Sequence, residues 1–358
     1  MLRLNLAIHG WRDLIESPQA SPVFIVGPPR SGSTLLLQVL EKCLGYRFPA
    51  ETHYFDQLRP SLVAPSRDGG KSERSAVEEY FRSLHPHGYG PRDLNVHDPV
   101  RWQAMAEMVD ACDEPSGDKW FEAHCRFASG GIGPAMLWGE KTPRHVFRID
   151  EMVEAFPNAR FIVMIRHPRS VVASYVGWHA SRIAASDVPT DEALRVQMTS
   201  DPLVISMLWR AAAKAAARAV ERHGGTVVEI VRFEDLVSRP EDSVAALGEW
   251  LGLEPALERL ADLSLVNSSF GRDGAEVGLV SNRIHGTANL LPRRSGRVVD
   301  AVTRNIAGRF GYPVAGSVIG SRLRVMGEMF LRAPVILRAG LANRDRMNGI
   351  FDYVRRRV

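Results

Sequence analysis

One short stretch constrains this chain more than any other. An apolar run, Pro22-Val-Phe-Ile-Val-Gly27, passes straight into Pro28-Pro-Arg-Ser-Gly-Ser-Thr34, and a helical pattern follows from Thr34 to Leu44 and stops at Gly45. Continuous apolar character without polar alternation reads as a strand buried on both faces. The turn after it opens a helix whose free N–H groups and dipole form a cradle for a phosphate-like anion. Gly27 and Gly32 let the backbone come close to that anion, and Ser33 and Thr34 add hydroxyl donors. The string fits G-x-x-x-x-G-K-[ST] except that Ser33 stands at the Lys position. A nucleotide kinase or NTPase uses that Lys on the β/γ phosphates and an Asp at a neighbouring strand end for magnesium. Here the next buried strand, Arg160-Phe-Ile-Val-Met-Ile165, ends in Arg166-His167. A cation there repels a metal and attracts a second anion. The loop is thus expected to bind a doubly anionic nucleotide without magnesium, with a P-loop kinase or NTPase as the alternative.

The rest of the pattern predicts an α/β fold, a parallel sheet flanked by helices. Thr226-Val-Val-Glu-Ile-Val231 is a third strand, the Ala-rich segment Leu203 to His223 a helix closed by Gly224-Gly225, and Pro240 to Leu251 another helix. A helix is expected after Pro168 to about Arg182. Residues 1–313 read as one domain and 314–358 as a helical extension. Pro60–Pro134 and Val266–Pro292 fall outside the strand–helix alternation; apart from a helix at Trp102–Ala111 they read as long insertions over the substrate and nucleotide.

Several classes are excluded. No run approaches the roughly 18 apolar residues of a membrane-spanning helix, and Met1 to Gln19 is broken by charges, unlike a secretory signal. Cys43, Cys112 and Cys125 are far apart and have no CxxC, so a reducing, cytoplasmic location is expected. Eleven histidines show no ligand spacing, and no metal is expected. A net charge of +4 over 358 residues is too diffuse to imply nucleic acid.

The motifs resemble the sulfotransferases that use 3′-phosphoadenosine 5′-phosphosulfate. Pro29-Arg30-Ser31-Gly32-Ser33-Thr34 resembles their 5′-phosphosulfate loop, and Arg166-His-Pro-Arg-Ser-Val-Val-Ala-Ser174 their 3′-phosphate motif. An Arg leaving a strand and a Ser in the next helix can converge on one phosphate. Ala50-Glu-Thr-His-Tyr-Phe-Asp56 is similar to the base-bearing segment of two branches. Glu51 fits both the tyrosylprotein and the heparan sulfate enzymes, whereas His53, Phe55 and Asp56 fit only the glycan-modifying branch. The resemblance implies Glu51 as general base, with His53 and Asp56 toward the acceptor. Gly139-Glu-Lys-Thr-Pro143 resembles the Glu-Lys-Thr-Pro segment of the glycan-modifying branch and, more loosely, the Asn-Lys-Asp-Pro segment of the tyrosyl branch, which implies Lys141, one of only five lysines, near the sulfuryl group. Arg30 of the loop is expected on the phosphosulfate. Val231-Arg-Phe-Glu-Asp-Leu236 reads as a structural turn. Val280–Gly286 and Pro292–Gly296 fall where the family folds a loop over the nucleotide, so Arg293 or Arg294 is expected at the 3′-phosphate. A sugar or other alcohol is the expected acceptor, and a peptide tyrosine the runner-up. A non-catalytic nucleotide-binding protein is the remaining alternative.

The extension carries nine Arg and three acidic residues, net +6, which leaves −2 for residues 1–313. A basic amphipathic helix of this kind docks on an anionic membrane or a partner, packs back on its own domain, or pairs in a dimer. Anion binding in the main domain must then come from a few placed groups, not from bulk charge.

Overall fold

A computed structural model of the chain describes residues 21–63, 73–84, 99–128, 137–184, 200–263, 291–314 and 326–342. Four strands form one sheet: β1 (Val23–Val26), β2 (Gly139–Lys141), β3 (Arg160–Ile165) and β4 (Val228–Arg232). Their spatial order is β2-β1-β3-β4, and every pairing is parallel. Three of these strands coincide with the apolar runs. β2 has the sequence Gly-Glu-Lys and carries no apolar signal; its pairing with β1, Val23 opposite Gly139 and Ile25 opposite Lys141, makes it a strand.

Alternate residues of β1 and β3 feed two separate cores. Phe24, Val26, Phe161, Val163 and Ile165 point into one, where the Phe24 ring lies 5.4 Å from Phe161 and 6.0 Å from Trp138. Val23, Ile25, Ile162 and Met164 point into the other, against Leu36, Val39 and Leu40 of helix α1 (Ser33–Cys43). Burial on both faces is what a parallel sheet requires.

Helices α2 (Tyr54–Gln57) and α3 (Arg59–Val63) lead away from α1. The described parts of the 60–134 stretch are mostly helical: α4 (Glu73–Ser83), α5 (Pro99–Asp110) and α6 (Gly117–Ala128). They put Phe81, Trp102, Met105, Trp120 and Phe121 into the first core, so the described part of this stretch belongs to the framework. α7 (Ile149–Ala155) precedes β3, and α8 (Pro168–Ala184) and α9 (Pro202–His223) follow it. α9 starts on an Asp201 cap that accepts the Leu203 N–H at 2.8 Å. After β4 come α10 (Phe233–Ser238), α11 (Pro240–Leu251) and α12 (Arg293–Ala307). Residues 264–290, including Val280–Gly286, lie outside the described residues.

In the extension, α13 (Ala333–Ala342) and the helical turns before it bring Met329 and Ile336 against Leu203, Met207, Val298 and Val302. Arg332 bridges Glu328 and Asp201. This segment therefore packs back on α9 and α12. Among the described residues no helix is long and apolar enough to cross a membrane.

The tightest backbone approach is at Gly27, where φ is 134° and a Cβ would overlap the carbonyl oxygen of Met164 in β3. Its N–H donates to the Pro143 carbonyl at 3.0 Å. Gly27→Ala is expected to cost roughly 2–3 kcal/mol, read as a lowered thermal midpoint; an unchanged midpoint would show that the loop relaxes freely.

Candidate active site

The turn between β1 and α1 has the strained geometry of a ligand loop. Arg30 sits at φ 67°, a left-handed conformation that bulky residues adopt only when their surroundings impose it. Gly32 caps α1 at φ 99°, and the helix start has neither a side-chain cap bond nor an acid in its first turn. A Cβ on Gly32 would enter the Phe233 ring. Ser31 is fully buried, yet its hydroxyl finds no hydrogen-bond partner among the described residues. A buried, unsatisfied hydroxyl beside uncapped N–H groups is a polar surface shaped for an anion. Ser33 is buried too, while Pro29 and Thr34 are half-buried at the rim.

Across this loop the structure joins the two halves of the expected nucleotide site. Arg30 Nε donates to Ser174 Oγ of α8 at 3.4 Å, over 144 positions of sequence. Arg166, at the end of β3, stacks its guanidinium 4.1 Å from the centroid of Phe233, and its carbonyl accepts from Trp209 Nε1 at 3.0 Å. Burial pushes Arg166 down to about 10; Glu234 opposes that shift and the neighbouring Arg30 adds to it. Two guanidiniums held this close, one largely desolvated, favour a bound anion.

The Val231–Leu236 segment is more than a turn. It forms the end of β4 and the start of α10, and Glu234 accepts from the His167 N–H at 3.0 Å and the Tyr312 hydroxyl at 2.5 Å. Phe233 and Glu234 thus set the Arg166 corner, a role that family position alone did not disclose.

On the other side of β1, Lys141 Nζ donates to Glu51 Oε1, joining residues 90 positions apart. The Lys141 side chain is 7% exposed and that of Glu51 16%. His53 Nε2 lies 3.6 Å from Glu51 Oε2. Burial lowers the His53 pKa, against the pull of Glu51, which favours the neutral ring. Asp56 is buried and lies 3.8 Å from both Arg144 and Arg148. These contacts bind α2 to the turn after β2. Arg294 lies exposed, 3.9 Å from Glu328 of the extension, and Arg293 is also exposed. Among the described residues no group of His, Cys, Asp or Glu could hold a metal ion.

Sequence reasoning missed Glu140. Its fully buried carboxylate accepts the Thr52 N–H at 3.1 Å, the Thr52 hydroxyl at 3.0 Å and the Thr142 hydroxyl, and faces His145 Nδ1 at 3.1 Å. Its place in a strand with no apolar run gave no signal of this.

A parallel α/β sheet with a glycine-bounded anion loop at one strand end and an arginine at the next defines a P-loop-like nucleotide-binding class, here without the P-loop lysine. Residues 22–257 match the model of the sulfotransferase family. The chain belongs to that family and has its fold. It is 25% identical over 246 residues to nodulation protein NoeE of Sinorhizobium fredii, covering 67% of this chain and 52% of that one. It is 28% identical over 258 residues to the ω-hydroxy-β-dihydromenaquinone-9 sulfotransferase Stf3 of Mycobacterium bovis, covering 65% of this chain and 63% of that one. The chain thus spans between half and two-thirds of the length of these relatives. Among solved structures, the sulfotransferase domain of the Synechococcus PCC 7002 olefin synthase aligns with 82% of this chain and 96% of its own length, at TM-score 0.50 and 17% identity.

Burial pushes the Glu140 carboxyl up, but His145 and the hydrogen bonds from Thr142 and Thr52 outweigh it, bringing it down from 4.5 to about 2. Between those values the native state holds fewer protons than the unfolded chain. The resulting stabilisation, on the order of 3 kcal/mol, is complete above the ordinary carboxylate value and lost as the pH falls toward the folded one. The stability advantage of the wild type over Glu140→Gln should therefore shrink on acidification. Parallel thermal midpoints from neutral to acid pH would refute this.

Proposed function

We propose that this protein transfers the sulfuryl group of 3′-phosphoadenosine 5′-phosphosulfate to an alcohol hydroxyl, with Glu51 as general base. The carrying observation is the Glu51–Lys141 pair, a carboxylate and an ammonium joined next to the anion loop and only partly open to solvent. The donor supplies the activated sulfuryl group. The N–H groups of the Ser31–Thr34 turn, the unsatisfied Ser31 hydroxyl and Arg30 would hold its phosphosulfate, and Arg166 with Ser174 its 3′-phosphate. Glu51 takes the proton that the acceptor hydroxyl loses as it attacks. Lys141, opposite Ile25 on the strand beside the loop, would offset negative charge that grows on the transferred group and the leaving phosphate.

An alcohol acceptor is supported from two directions. The Glu51, His53, Phe55 and Asp56 pattern resembles the glycan-modifying branch, and one relative is named for acting on an ω-hydroxy dihydromenaquinone. A sugar hydroxyl and a lipid alcohol share this chemistry. Peptide tyrosine is the second reading, favoured by the Glu51-Thr52 pair alone.

The test is a labelled-donor transfer assay against sugars, long-chain alcohols, phenols and tyrosine peptides. Glu51→Gln and Lys141→Ala are each expected to lower kcat by about a hundredfold, while adenosine 3′,5′-bisphosphate still binds within about threefold of wild type. Arg166→Ala should instead weaken that nucleotide tenfold or more, about 1.5–3 kcal/mol. Full transfer by Glu51→Gln would exclude it as the base, and transfer confined to phenols and tyrosine peptides would favour the second reading.

A further inference from the structure

We propose that Glu140 is a positioning residue that sets the geometry of Glu51 and Lys141, an inference that rests on the reading of Glu51 as the base. Thr52 directly follows Glu51, and Thr142 directly follows Lys141. Glu140 Oε1 accepts from both: from the N–H and hydroxyl of Thr52 at 3.1 and 3.0 Å, and from the hydroxyl of Thr142. One carboxylate oxygen thus ties the base-bearing turn to the lysine-bearing strand across 88 positions of sequence. The second oxygen is turned toward His145 Nδ1 at 3.1 Å, so both have ring or hydroxyl partners.

Neighbouring contacts act in the same direction. The His53 N–H reaches Thr142 Oγ1 at 3.4 Å, and the Tyr80 hydroxyl donates to the Thr52 carbonyl at 2.7 Å. The turn at Glu51–His53 is thereby held through its own backbone while His53 sits at φ 50°. Without such restraints a turn with a left-handed histidine relaxes, and Glu51 would move with it.

The ionised form of the side chain matters. Burying a carboxylate completely carries a large desolvation cost, offset only by good hydrogen bonds. Charge-assisted bonds to an N–H and two hydroxyls are shorter and stiffer than neutral ones. A glutamine can keep its one oxygen toward Thr52 and Thr142 with its NH₂ toward His145, but a neutral acceptor makes weaker bonds than a carboxylate. The glutamine side chain therefore fills the space but loosens the brace.

The decisive measurement is release of labelled sulfate from the phosphosulfate donor with water as acceptor, which needs no knowledge of the natural acceptor. Glu140→Gln is expected to lower kcat about tenfold with the donor KM within about threefold, since the donor loop is built elsewhere. Glu51→Gln should lose about a hundredfold. The double variant should fall by less than the product of the two single losses, because part of the Glu140 effect acts through Glu51 and is already lost with it. Circular dichroism and binding of adenosine 3′,5′-bisphosphate establish that each protein is folded. If Glu140→Gln does not fold, Thr52→Ala carries the same test: kcat falls about fivefold and Thr52→Ser restores it. Losses that multiply in the double variant, or a Glu140→Gln protein as fast as wild type beside a slow Glu51→Gln protein, would overturn the positioning role alone. A Glu51→Gln protein with full turnover would remove the base and this inference with it.

Discussion

Parallel pairing of β1 with β2 on one side and β3 on the other delivers three chain exits to a single edge of the sheet. The exit of β1 is the anion loop, that of β2 is Lys141, and that of β3 is Arg166. Each exit needs its register. Ile25 sits opposite Lys141 in β2 and opposite Ile162 in β3, so the loop leaves between an ammonium and a guanidinium. In an antiparallel sheet these groups would alternate between opposite ends. The close approach of Gly27 to the Met164 carbonyl follows from the same register, since Val26 pairs with Val163 and Gly27 comes next beside Met164. Gly27 and Gly32 mark the two ends of the loop.

The parts legible in the sequence were those with a hydrophobic period or a backbone constraint. Phe24 and Phe161 belong to apolar runs that only a doubly covered strand explains, and the glycine spacing after β1 announced a loop. The segment 139–141 has neither, since a three-residue strand of Gly-Glu-Lys owes its existence to a neighbour. The family resemblance singled out Glu51 and Lys141, and the structure brings them together. It could not single out Glu140 or Glu234, whose roles depend on partners 88 and 67 positions away. Most of their partners are backbone N–H groups and hydroxyls, brought near only by the fold. Asp56 shows the reverse case: legible by motif, it lies within an ion cluster with Arg144 and Arg148.

The 60–134 stretch illustrates why the absence of alternation is a poor sign of a loop. α4, α5 and α6 contribute no strand, so the strand–helix rhythm skips them. Their aromatic residues nonetheless complete the core under β1: the Phe121 ring lies 4.9 Å from Tyr54 and 5.4 Å from Phe55, the residues that follow the Glu51–His53 turn. Helix α2 is therefore clamped between an insertion and the sheet. The position of Glu51 depends on packing in a segment that looked peripheral.

In the proposed reaction two glutamates close to one another carry opposite duties, and environment decides which is which. Glu140 is completely buried, and its hydrogen bonds and His145 hold it ionised. A group in that state has no path to an acceptor. Glu51 retains some exposure; Lys141 donates to it and His53 Nε2 stands 3.6 Å away, contacts that in the proposed reaction yield to a substrate hydroxyl. Exchange of partners is what a base requires, and permanence of partners is what a brace requires. Lys141 links the two functions: its carboxylate partner is Glu51, while its strand neighbour Glu140 fixes the turn from which Glu51 reaches it. In the proposed reaction, substitution at either glutamate would disturb the same pair, once by chemistry and once by geometry.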